Sequence, residues 1–159
     1  MTSTFLVTDA GVAPPLSILS QSDLSALPTI IPSLDAKRPI VLVQVLSDSG
    51  QCLSDLTGWQ FALLLPDGGA MPLNDGGPSY DLSYSNDAYL PTPSLTATTS
   101  SGIALLFDIA TGPGTFVLDA RYTGTDAGPS CAPLTEPLEF TGQLEIGPGI
   151  VTVAPIALP

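Results

Sequence analysis

The chain has 159 residues, with 15 Asp and Glu against 3 Lys and Arg, no histidine and a net charge of −12. This balance argues against nucleic acid and anionic membrane surfaces as partners, since both are held through lysine and arginine. The missing histidine removes Ser-His-Asp and Cys-His catalysis. The length suits one domain with a real core, and 15 glycines and 17 prolines beside many Val, Leu and Thr predict an all-β fold.

Residues 1–36 stand apart as an apolar, proline-rich N-terminal arm. Phe5-Leu6-Val7 reads as a short strand. Pro14-Pro15, Pro28 and Pro32 interrupt regular structure, and Ser22 to Leu27 reads as one helical turn capped by Ser22. So apolar an arm is expected to pack on something. The first residues lack the basic start and unbroken apolar stretch of a signal peptide. The expectation is a cytoplasmically made chain or an engineered mature form.

From residue 37 to 159 the pattern is that of a sandwich domain, with an insertion at 66–97. From Pro39 the apolar period is two, the signature of strands with one buried face. Val41, Val43 and Val45 share a face, as do Trp59, Phe61, Leu63 and Leu65, which end at Pro66-Asp67-Gly68-Gly69. Tyr80, Leu82 and Tyr84 alternate with Ser79, Asp81 and Ser83. Ile103, Leu105, Phe107 and Ile109 follow. After Gly112-Pro113-Gly114 come Phe116, Leu118, Ala120 and Tyr122. Leu138, Phe140, Leu144 and Ile146 alternate with Glu139, Thr141, Gln143 and Glu145. A last strand carries Ile150, Thr152, Ala154 and Ile156. The expected fold is an antiparallel, Greek-key-type β-sandwich of six to eight strands with an extended N-terminal arm; a closed barrel is the alternative. No run approaches the roughly 18 apolar residues of a membrane span.

Candidate chemistry is sparse. Lys37 is the only lysine and reads as a solvated charge before the first strand. Glu139 and Glu145 fall on the polar face of a strand. An intramolecular isopeptide bond would need an Asn or Asp on a facing strand, and the final strand after Gly149 has neither. Calcium could take oxygen ligands from Asn74, Asp75, Asp81, Asn86 and Asp87, although Asp and Asn are ordinary turn residues. Tyr80, Tyr84 and Tyr89 could form a carbohydrate-stacking platform, with core packing the expected fate of Tyr80 and Tyr84. Cys52 and Cys131 lack metal-ligand spacing. They are expected to form a disulfide, worth ~4 kcal/mol in the chain-entropy model, which requires an oxidising compartment; two unrelated thiols are the alternative.

Residues 39–158 carry a family resemblance. Thr98-Thr99-Ser100-Ser101-Gly102-Ile103 and Phe107, then Gly112-Pro113-Gly114-Thr115-Phe116-Val117-Leu118, resemble the turn-and-strand pattern of the carboxypeptidase-regulatory-like, transthyretin-like sandwiches. Val41 to Val45 with Asp48-Ser49-Gly50 is similar to that family's first strand and turn, and Gly149 to Val153 with Ile156 and Leu158 to its last. The resemblance implies the fold. Hydrolase and dioxygenase activities of such sandwiches use histidines, so they do not carry over. Residues 66–97 depart from the pattern and are where function could sit.

Only 11% of residues are charged while 44% are hydrophobic, and the mean hydropathy is +0.39. Either the surface is rich in neutral polar residues or part of it is buried in an assembly. The leading expectation is a non-enzymatic structural subunit without cofactor: part of an extracellular filament, a surface layer or a virion. It would self-associate or join other subunits through sandwich edges and a donated strand, Phe5, Leu6, Val7 and Thr8. The alternative is a secreted or cell-surface module binding carbohydrate or protein through residues 66–97. An enzyme is a distant third.

Overall fold

The computed structural model describes residues 21–35, 37–46, 56–73, 79–110, 114–127, 131–147 and 151–157. In chain order these form a helix α1 (Gln21–Ile30) and strands β1 (Ile40–Leu46), β2 (Trp59–Leu64), β3 (Asp81–Ser85), β4 (Pro91–Thr92), β5 (Ile103–Phe107), β6 (Gly114–Tyr122), β7 (Leu138–Ile146) and β8 (Val151–Ala157). One sheet has the order β4-β3-β5-β1-β8 and the other β2-β6-β7. The chain crosses between them after β1, β2, β5 and β7. This is the all-β sandwich that the alternation predicts.

The core between the sheets is built from the period-two faces. Val41, Val43 and Val45 of β1 meet Trp59, Phe61 and Leu63 of β2 and Phe116, Leu118 and Ala120 of β6. Ala120 sits in register with Phe61 on one side and Phe140 on the other, so its small side chain leaves room for both rings. Trp59 stacks on Tyr122 at 5.3 Å and meets Phe140 at 5.7 Å. The Tyr122 hydroxyl donates to Asp126 O at 2.8 Å. A Cβ at Gly124 would overlap the Tyr122 ring, which is why the chain turns there on a glycine.

A second core lies on the outer face of the five-stranded sheet. Leu27, Ile31 and Leu34 cover Ile40, Leu42, Leu105 and Phe107. Each such apolar side chain taken out of water is worth about 1.5–3 kcal/mol. The segment after the helix is tied down by Asp35, whose N–H donates to Asp108 Oδ1 at 2.9 Å, and by Arg38, whose Nη1 donates to Asp108 O at 3.4 Å.

Two expectations are corrected, the extent of the helix and the facing of β5. The single turn predicted at Ser22–Leu27 is the ten-residue α1, which runs through Pro28; proline costs one backbone bond, and the apolar contacts of Leu27 and Ile31 hold the helix together. Leu27, Ile31 and Leu34 of the arm pack on the sheet, while residues 1–20 lie outside the described residues. Ile103, Leu105 and Phe107 face the helix rather than the opposing sheet; Ala104 and Leu106 point inward. Asp108, at φ 50°, reverses the alternation and returns Ile109 to the inner core. The sandwich is mostly antiparallel, with β8 paired parallel to β1.

Candidate functional site: the two flanks of the sandwich

Sheet edges are where a sandwich can accept a partner, because their outward N–H and C=O groups have no strand beside them. The three-stranded sheet has edges β2 and β7, and the surrounding chain treats them differently.

Along β2 the three outward N–H groups and two of the outward carbonyls have partners. Trp59 N–H donates to Thr98 Oγ1 at 2.9 Å, and Thr98 N–H donates to Trp59 O at 2.9 Å. Phe61 N–H donates to the Tyr84 hydroxyl at 3.1 Å and Leu63 N–H to the Tyr80 hydroxyl at 3.2 Å. Met71 N–H donates to Leu63 O at 3.3 Å. Tyr80 and Tyr84 thus reach from the β3 side of one sheet to the exposed backbone of the other. Burial raises both phenol pKa values above the ordinary 10.0, while the hydrogen bonds from Leu63 and Phe61 pull them back.

Much of this seal comes from residues 66–97, expected to be an inserted functional loop. They turn at Asp67-Gly68-Gly69, where Asp67 Oδ1 accepts from Gly69 N–H at 2.9 Å. They then supply β3, β4 and both tyrosines. The Thr98–Gly102 motif is equally structural. Gly102 adopts φ +64°, and a Cβ there would stand 3.0 Å from Leu56 Cδ1 and 3.1 Å from Val45 O. Thr98 Oγ1 also donates to Leu56 O.

Among the described residues, the edge at β7 has no such seal along Thr141 and Gln143. In an antiparallel sheet the two backbone groups of a residue point to one side, and those of the next residue to the other. Phe61 and Leu63 of β2 turn their N–H groups away from β6, so their partners Ala120 and Leu118 turn theirs toward β7. Phe140 and Gly142, in register with Ala120 and Leu118, complete that ladder. Thr141 and Gln143 therefore present N–H and C=O outward, and among the described residues no backbone group accepts from or donates to them. Their side chains are exposed.

The other two edges are blunt. β8 contains Pro155, which has no N–H to offer, and β4 has only two residues, Pro91 and Thr92. On the β7 flank Arg121 pairs with Glu139 at 2.8 Å across the ladder. Partial burial holds the neighbouring Asp119 above the ordinary carboxylate range, with Arg121 lowering it and Glu139 raising it further.

The remaining candidates do not converge. Asp81 lies at the start of β3 and Asp87 beyond its end. Asp81 is raised by partial burial and by Asp108. Asp87 accepts from Ser100 Oγ at 2.8 Å and Ser100 N–H at 3.2 Å, and the Ser100 hydroxyl first of all lowers its pKa. Asn86 Oδ1 accepts from the N–H groups of Ala88 and Leu90, which makes it a turn residue. Asn74 and Asp75 lie outside the described residues. Among the described residues no three His, Cys, Asp or Glu are grouped to hold a metal, and no helix is long and apolar enough to cross a membrane.

Of the three tyrosines, Tyr80 and Tyr84 are core residues. Tyr89 is 67% exposed beside the exposed Leu90, at the tip of the β3–β4 turn, with φ 61°. Lys37 opens the turn before β1, where its N–H donates to Asp35 Oδ1 at 2.9 Å. Cys131 is disulfide-bonded; Cys52 lies outside the described residues, as do Phe5, Leu6, Val7 and Thr8. No family model, curated protein or solved structure matches the chain.

Proposed function

We propose that the protein is a non-enzymatic structural subunit that joins other protein subunits through the edges of its sandwich and its N-terminal arm. The observation that carries this reading is the contrast between a β2 edge sealed by side chains and a β7 edge where Thr141 and Gln143 turn backbone groups outward with no partner among the described residues. A chain with 11% charged residues is also suited to burying surface against neighbours. The setting this reading favours is an extracellular filament, a surface layer or a virion. A Cys52–Cys131 disulfide, proposed here from the bonded state of Cys131, suits an oxidising compartment. Membership of the transthyretin-like sandwiches is part of the proposal and rests on the sequence segments quoted for it.

Light scattering of the native 159-residue protein tests the main reading. A mass well above the 16.3 kDa of one chain, rising with concentration, is the expected result. A monomer at high concentration overturns it. One observation favours a second reading, an adhesive module: the exposed Tyr89–Leu90 tip, held by the Asn86 turn. A glycan array probed with the protein and with Tyr89→Ala tests that tip separately.

A further inference from the structure

The geometry points to a specific joint: the β7 edge takes, as an added strand, the N-terminal segment Thr2–Thr8 of a second copy of this chain. This rests on the subunit reading and names its acceptor and donor. The acceptor is chosen by elimination among the edges. β2 is sealed, β4 is two residues long, and β8 is interrupted by Pro155. β7 has nine residues and no proline, and Thr141 and Gln143 turn their backbone groups outward.

The donor follows from charge. Two copies of β7 overlapping fully antiparallel about Gly142 would set Glu139 opposite Glu145 at both ends. Like charges directly opposed across a ladder are destabilising, and the chain already carries a net charge of −12. The donor is therefore expected to be neutral and free of proline. Outside the described residues, residues 1–8 form the longest such stretch; Asp9 is the first charge and Pro14 the first proline. Thr2–Thr8 alternates Ser3, Phe5 and Val7 with Thr4 and Leu6, so a single face carries Phe5 and Val7. Backbone bonds to Thr141 and Gln143 supply affinity, and the two apolar side chains set the register. Twelve residues separate Thr8 from α1, a tether of up to ~40 Å. Donor and acceptor are different surfaces, so the joint is head-to-tail and builds rings or open filaments.

The experiment uses two variants of the 159-residue chain. Thr141→Pro removes an outward N–H from β7 without touching the ladder to β6; Leu6→Pro spoils the donor and lies outside the described fold. Each variant alone should keep its circular dichroism and become monomeric. An equimolar mixture should form dimers, because one partner retains an arm and the other an edge. In the native assembly the Thr141 and Gln143 amides should exchange slowly with deuterium, and the protection should be lost in both variants. If Thr141→Pro fails to fold, the loss of assembly and protection in Leu6→Pro still decides the matter. Assembly that survives Leu6→Pro, or that leaves both amides fast-exchanging, overturns this joint while the subunit reading stands. A monomeric native chain whose slow amides become fast in Leu6→Pro means that the arm folds back on its own molecule, and overturns both.

Discussion

The two flanks of the three-stranded sheet meet the same difficulty with opposite results. At β2 each outward N–H of Trp59, Phe61 and Leu63 finds an oxygen, from Thr98, Tyr84 and Tyr80 respectively. At β7 Thr141 and Gln143 keep theirs turned outward. The difference lies in what the neighbouring chain has to spend on each side. Beside β2 runs the stretch from residue 66 to 98, which contributes a hairpin, two long phenols and a buried threonine. Beside β7 lies β8, whose proline leaves it poor in donors. Partner-seeking backbone on a β-sandwich thus depends less on the edge strand itself than on the side chains of the sheet opposite.

Perturbing the closed flank should have the largest effects. Thr98→Val keeps the shape but strands two backbone groups, Trp59 N–H and Leu56 O. A stranded buried group costs about 1–3 kcal/mol, so chemical denaturation should show a loss at or above the top of that range. Tyr84→Phe strands Phe61 N–H alone, and a loss of about 1–3 kcal/mol is expected.

The same tyrosines make the closed flank sensitive to alkali. Their folded pKa values are raised by burial, so the folded state holds protons that the unfolded chain releases. Stability should be complete below the ordinary phenol value of 10.0 and fall as pH rises beyond it. Denaturation midpoints across that range should show the decline, and Tyr80→Phe with Tyr84→Phe should flatten it. On the open flank, Thr141→Ala and Gln143→Ala should change the stability of the isolated chain by no more than about 0.5 kcal/mol. A larger loss there would mean that the β7 edge is already occupied within one molecule.

Much of the fold was legible because each strand with one wet face announces its parity. Phe116, Leu118, Ala120 and Tyr122 point inward as their alternation requires. β5 was misleading for a physical reason: Ile103–Phe107 is apolar at every position and buried on both faces, so parity carries no information about which face meets the other sheet. The cover on its second face is α1, hidden by Pro28. Strand direction leaves no trace in residue pattern, so the parallel β1–β8 ladder could not be read. The candidate site was the least legible part. Tyr80 and Tyr84 were recognisable as core, but that their hydroxyls would cap a neighbouring edge depends on which strands face each other across the sandwich.

The parallel ladder has a kinetic consequence. Ile40 pairs with Val151 and Leu46 with Ala157, so β1 must wait for a strand more than a hundred residues further along the chain. Contacts this distant are slow to form, because the entropy of closing the intervening loop is paid before the ladder rewards it. During synthesis β1 can meet β5 early but keeps its other side bare until β8 has emerged. For that interval the backbone groups of Leu42 and Gln44, which face β8 in the finished sheet, form an unpaired strand edge of the kind at which folding intermediates aggregate.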